Sequence, residues 1–273
     1  MNWLESLLYG LISGFTRFIP ISSSAHQAIF CTIFGFENAD PLQNLLVDIA
    51  LLASLITVFK PYFDKIRSRG SALRTRRNYS NENSGDVSLT RNALLPMLIV
   101  SLVLYYIINS NTSLLLVSAG LLLNGIILFL PSRLLQGNKD GRSMTLLDSI
   151  IIGTLSALSA IPGISGIGCA VSSAKMRGAD SKKALHWAAT LSITMLVIKL
   201  LVDCALILSA AGAGYIDFRF FGYLFSVIGA YIGGYIAIIM ISRLITMRST
   251  LSGFAYYSWG AALFSFILFL SIA

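Results

Sequence analysis

RFIPISSSAH, from Arg17 to His26, interrupts one of the most apolar stretches of this chain with an arginine, a proline, three serines and a histidine. A related string, AIPGISGIG, stands about half a chain later, from Ala160 to Gly168. Around these two breaks lie 273 residues of which 56% are hydrophobic and only 12% charged. Soluble domains carry roughly 25% charged residues, so most of this chain is suited to a solvent other than water. A mean hydropathy of +0.78 agrees, and several windows approach the ~20 apolar residues that a helix needs to cross a bilayer. The composition excludes a soluble domain and predicts an all-α polytopic membrane protein.

The N-terminal residues MNWLESLLYG lack a basic start and a small-residue cleavage site, so they read as a retained segment rather than a signal peptide. Cys31, Cys169 and Cys204 are isolated in apolar segments, without metal-ligand spacing or a paired framework, and read as small buried residues. Net charge is +8 and strongly localised: the stretch Lys60–Arg91 holds eight Lys/Arg against three Asp/Glu and ends in Ser/Asn-rich sequence of disordered character. Beside membrane spans such a stretch marks the cytoplasmic side rather than a nucleic-acid partner.

Counting from that loop (60–92), residues 93–109 leave the cytoplasm and 112–130 return to PSRLLQGNKDGR, which is basic again as a cytoplasmic loop should be. Residues 145–175 are broken by PGISG and lead to a third basic segment, AKMRGADSKK. That segment stays cytoplasmic if 145–175 enter, turn at the Pro-Gly break and come back. Residues 184–211, 220–242 and 253–272 then complete three more spans. Backward from Lys60, residues 42–59 start outside, beside the acidic GFENAD, and residues 3–36, broken at Pro20, form another hairpin. The chain thus divides into two inverted repeats, 1–132 and 145–273. Each is a re-entrant helical hairpin followed by three spans, six transmembrane helices in all. GLISGFTRFIPIS and GTLSALSAIPGIS echo one another in support. Irregular backbone at membrane depth is tolerated only where protein buries it or a wet cavity adjoins it. In inverted-repeat folds the binding site lies near the midplane, where broken helices meet.

Pro suits the first turn of a helix and Ser caps it, so PISSS and PGISG read as starts of second arms with free N–H groups at the tips. Such groups attract anions, phosphate above all. Arg17 offers a bidentate clamp, Ser22, Ser23 and Ser24 offer hydroxyls, Gly163 and Ser165 belong to the opposite tip, and His26 can carry a proton. Taken singly, the serines are caps and His26 bonds a backbone carbonyl; an arginine inside a membrane segment is expensive and argues for function.

At these residues the sequence resembles the undecaprenyl-diphosphatase family, also called BacA. Its first motif, approximately E-G-x-T-E-F-x-P-x-S-S-x-G-H, is matched by SGFTRFIPISSSAH, and its second, P-G-x-S-R-S-G, by PGISGIG. The resemblance runs over nearly the whole chain. It implies an inverted repeat with two re-entrant hairpins, a polyprenyl diphosphate lipid and a bacterial cytoplasmic membrane. Ser13 and Arg17 stand where the family has glutamates, Gly166 where it has an arginine and Ile167 where it has a serine. Pro20, Ser23, His26, Pro162, Gly163 and Ser165 keep the pattern.

Two functions remain open. As a hydrolase, the chain would use Ser23 and His26, with Asp48 of LLVDIALL as a displaced carboxylate, and a divalent metal is an option only in that case. As a carrier, it would hold a polyprenyl phosphate or diphosphate between the hairpins and expose it to alternate faces, with Asp48 as a proton site. The missing glutamates and arginine tip the balance towards carriage. A scaffold without ligand leaves the arginine among the serines unexplained. Lys199 and Asp203 lie four apart on one helix face and read as a mutually neutralising pair, Asp148 as a helix-start residue. The sequence requires no resident cofactor, presents no metal-ligand motif, and is compatible with a homodimer.

Overall fold

The computed structural model describes residues 2–36, 39–72, 81–108, 113–133, 144–179, 181–211, 220–244 and 250–272. Glu37 and Asn38 of the acidic stretch, most of the basic loop 133–142 and Asp180 fall outside them. The described residues form helices without β-strands: α1 (Trp3–Arg17), α2 (Ser23–Phe34), α3 (Pro41–Ala72), α4 (Asn81–Ile108), α5 (Leu114–Arg133), α6 (Leu146–Ala157), α7 (Gly166–Met176), α8 (Ser181–Ala211), α9 (Phe220–Leu244) and α10 (Thr250–Ile272).

Six of these, α3, α4, α5, α8, α9 and α10, are long and apolar enough to cross a membrane. The other four have 15, 12, 12 and 11 residues, about 17–23 Å at 1.5 Å per residue, short of the ~30 Å hydrocarbon core. They come as two helix–break–helix units, α1–α2 and α6–α7. Each first arm starts with a capping box, Asn2 with Glu5 and Thr145 with Asp148, which satisfies the orphan N–H groups of the first turn.

The burial pattern is that of a chain in lipid. Leu95, Ile99, Leu201, Leu263 and Ile267 are exposed, while Ser101, Ser118, Asn124, Ser226, Ser258 and Ser265 are buried. Buried hydroxyls stitch helices together: Ser118 of α5 donates to the Ala262 carbonyl of α10 at 3.0 Å, and Ser265 of α10 donates to the Leu114 carbonyl of α5 at 3.3 Å. Such interhelical bonds contribute about 0.6 kcal/mol each on average in a membrane.

The packing follows an exchange. α1 lies on α9 and α6 lies on α4, so each first arm packs against a span from the other half of the chain; α3 meets α8, and α5 meets α10. Small residues permit the approach. A Cβ on Gly10 or Gly14 would strike the carbonyl of Ser226 or Ala230 in α9, and one on Gly153 the carbonyl of Ala93 in α4, the close backbone contact on which membrane helices rely.

The basic stretch departs from expectation. α3 runs on to Ala72 and α4 starts at Asn81, where a loop over 60–92 ending in disordered Ser/Asn-rich sequence was expected. A span already supplies the nucleus, and adding residues to an existing helix avoids the nucleation cost. Lys and Arg, abundant in the extension of α3, are good helix formers.

Candidate functional site between the two helix breaks

After Arg17 ends α1, the chain turns through Phe18–Ile21, and Ser22 adopts φ 68°, the one positive φ of a non-glycine residue among those described. Such strain costs on the order of 1–3 kcal/mol and persists only where the surroundings impose it. Here Ser22 is fully buried and caps α2, its Oγ accepting from Ala25 N–H at 3.4 Å. Its carbonyl accepts from His26 Nδ1 at 2.7 Å. A carbonyl only accepts, so Nδ1 carries the proton, and in the neutral ring Nε2 accepts from the Tyr257 hydroxyl at 2.7 Å.

The second break passes through a 3₁₀ turn (Leu158–Ala160), Pro162 and Gly163 before Ser165 caps α7. Gly163 has φ 98°, and a Cβ there would meet the Val117 carbonyl at 2.5 Å and Gly120 Cα at 2.7 Å. Only glycine suits both the backbone and the space.

The two breaks touch. Gly163 N–H donates to Ser24 Oγ at 3.3 Å, and Ser165 Oγ donates to the Ile19 carbonyl at 3.3 Å. Asn124, fully buried in α5, holds both: its Nδ2 donates to the Pro20 carbonyl at 3.2 Å and to Ser258 Oγ at 2.9 Å, and its Oδ1 accepts from Ser165 N–H at 2.9 Å.

Four charged side chains meet beside this junction. Asp48 of α3, 1% exposed, accepts from Arg17 at 2.8 Å and from Lys199 of α8 at 2.5 Å. Lys199 also reaches Asp203 at 3.4 Å. The expected Lys199–Asp203 pair is therefore part of a larger network, in which the shorter contact of Lys199 is the distant Asp48. A separate pair, Asp148 with Arg177, ties the start of α6 to the end of α7.

A cavity of about 250 Å³ opens between the breaks. Arg17 and Lys199 line it together with Ser23 and Ser24 of the first break, Ser159, Ser165 and Gly166 of the second, Gln27, Ser192 and Tyr105. Arg17 Nε is buried without a hydrogen-bond partner, an orphan donor that calls for an acceptor. Of the residues singled out from sequence, Arg17, Ser23, Ser24 and Ser165 line the cavity. Ser22 and Gly163 stand in the two breaks without lining it, His26 turns to Tyr257, and Asp48 pairs with the two cations. Lys199, Asn124, Gln27 and Tyr257 were not anticipated as parts of the site. Asn124 had a signal, an amide inside the apolar run LLLNGIILF.

A divalent metal does not fit these donors. Asp48 and Asp203 are already engaged by Lys199, and no group of three His, Cys, Asp or Glu converges among the described residues. Cations, hydroxyls and helix N-termini are an anion's donor set.

Fold and site together define an all-α polytopic membrane protein with a cation-lined cavity where two broken helices meet. The family model described as "Bacitracin resistance protein BacA" matches residues 6–264, and the chain belongs to that family. Among curated relatives, an "Undecaprenyl-diphosphatase" of Methanobrevibacter smithii is 30% identical over 274 residues, covering 95% of both chains. Proteins of the same name from Carboxydothermus hydrogenoformans and a Nocardioides species are each 26% identical, covering 95% and 91% of this chain and 94% and 90% of their own.

Proposed function

We propose that this chain binds a polyprenyl phosphate or diphosphate carrier lipid, with the phosphate in the cavity between the breaks, and moves it across the bacterial cytoplasmic membrane in cell-envelope lipid recycling. The observation that carries the reading is the convergence of Arg17, with its orphan Nε, and Lys199 on one serine-lined cavity. The relatives' name, undecaprenyl-diphosphatase, suggests the lipid class.

Carriage is favoured over hydrolysis because the reacting groups are occupied. Ser23 Oγ donates to the Ser13 carbonyl at 3.3 Å, both ring nitrogens of His26 are bonded, and Asp48 holds two cations. Hydrolysis needs a proton acceptor beside the phosphate; binding needs only the cations, hydroxyls and N-termini. Hydrolysis remains the second reading, favoured by the relatives' name and by Asp48, which brings a carboxylate beside Arg17, the position where the family motif has a glutamate. The exchange packing of α1 on α9 and α6 on α4 supports two inverted repeats with re-entrant hairpins, an arrangement suited to alternating access.

Two experiments test this. In vesicles, the purified protein should move a fluorescent polyprenyl phosphate between leaflets; binding without protein-dependent movement would end the carrier reading. Lys60→Cys and Lys175→Cys should be labelled from the same, cytoplasmic side; labelling from opposite sides would overturn the inverted repeat.

A further inference from the structure

The charges around the cavity sum to zero before any ligand arrives: Arg17 and Lys199 are balanced by Asp48 and Asp203. A phosphate monoester above its second pKa of about 6 brings two negative charges. Arg17 and Lys199 cannot neutralise the phosphate while also neutralising both carboxylates, and an uncompensated charge inside a membrane is costly.

We infer that the site takes up a proton together with the lipid's phosphate, and that Asp203 receives it. The geometry distinguishes the two carboxylates. Asp48 is held by two cations at 2.8 and 2.5 Å, so it keeps Arg17 when Lys199 turns towards the phosphate. Asp203 is held by Lys199 at 3.4 Å, on the C-terminal half of α8. When Lys199 Nζ swings into the cavity that it already lines, the Asp203 carboxylate is left facing Asp48 in the membrane and takes a proton from water.

The titratable and charged groups that face Asp203 are Lys199 on its own helix, Asp48 on α3 and Tyr105 on α4, with Arg17 of α1 beyond Asp48. From α6 and α7 the cavity receives serines, glycine and apolar groups. Phosphate and proton thus enter as a pair. Binding brings two negative charges and one compensating positive one, and movement of the loaded site carries less charge than the lipid alone.

This inference rests on the cavity being the phosphate site, and the test separates the two. Farnesyl phosphate, a short polyprenyl monophosphate, is titrated calorimetrically into the detergent-solubilised protein at about pH 8, where the ligand is a dianion, in buffers of different ionisation enthalpy. The expected uptake is about one proton per ligand, so that affinity falls about tenfold for each pH unit of increase. Asp203→Asn should bind without that uptake, and Asp203→Glu should restore it. An infrared difference spectrum of the unsubstituted protein should show a protonated-carboxyl C=O band on ligand addition, which keeps the test independent of whether the variants fold. Binding without proton uptake, uptake unchanged in Asp203→Asn, or no carboxyl band overturns the inference. Absence of farnesyl phosphate binding instead removes the cavity assignment, and the inference with it.

Discussion

The break after α1 turns on Ser22, a serine held at φ 68°, whereas the break before α7 turns on Gly163 at φ 98°. The first is kept in place by polar contacts: His26 on the Ser22 carbonyl, Tyr257 on His26, and the Arg17–Asp48 pair beside it. The second also has polar ties, Gly163 to Ser24 and Ser165 to Asn124, but its turn is set by shape, with Gly163 pressed on Val117 and Gly120, and its base is tied by Asp148 and Arg177. Arg17 brings charge to the cavity from one side; the other side brings serines and Gly166. One break therefore carries a cation to the cavity, and the other presses its backbone against α5.

That contrast predicts a ranked set of effects. The largest belongs to Asp48→Ala, which leaves Arg17 without its partner in the membrane and Lys199 with Asp203 alone. Removing one partner of a buried ion pair typically costs about 3–5 kcal/mol, read as a lowered thermal midpoint in detergent. A midpoint unchanged from the parent would show that Asp48 is not what stabilises the two cations in the fold.

Next is Arg17→Ala, expected to weaken polyprenyl phosphate binding by about 1.5–3 kcal/mol, the scale of a hydrogen bond to a charged group. Gly166→Ala, on the opposite break, places a Cβ at 3.3–3.4 Å from Ser159 and should leave affinity within about 0.5 kcal/mol. Equal losses in a lipid titration would erase the division of labour between the breaks.

Asn124→Ala removes the side chain shared by both breaks and leaves the Pro20 carbonyl and Ser165 N–H unpaired. The expected cost is about 1–3 kcal/mol for buried groups left without partners, visible as faster hydrogen exchange at Ser165. Of the expected losses of stability, the smallest is that of Tyr257→Phe. It removes the hydroxyl on His26 but leaves the His26–Ser22 bond, for about 0.5–1.5 kcal/mol, confined to the first break.

The spans and the breaks were legible in the sequence because their signals are local. Apolar runs mark the six long helices, and Pro followed by Ser marks each second arm, with Ser22 and Ser165 standing at the two caps. The charge network was not legible. Spacing of four joined Lys199 to Asp203, while the closer partner, Asp48, lies 151 residues away in sequence. Asp48 looked isolated for the same reason. Asn124 stood out as an amide among leucines, but its partners lie 104, 41 and 134 residues away, brought together only when α5 packs beneath both breaks. The basic stretch misled through composition alone, since a helix that is already formed extends into sequence that would not start one.

The central claim is that this site holds a lipid's phosphate and does not cleave it. Phosphate release from undecaprenyl diphosphate, measured with and without divalent metal beside the Methanobrevibacter smithii relative, tests it most directly. A missing positioned acid or base typically costs 10²–10⁴-fold, so turnover is expected to lie at least about a hundredfold below the relative's. Turnover comparable to the relative's would contradict the account and make Asp48 and His26 the first residues to examine as acid and base.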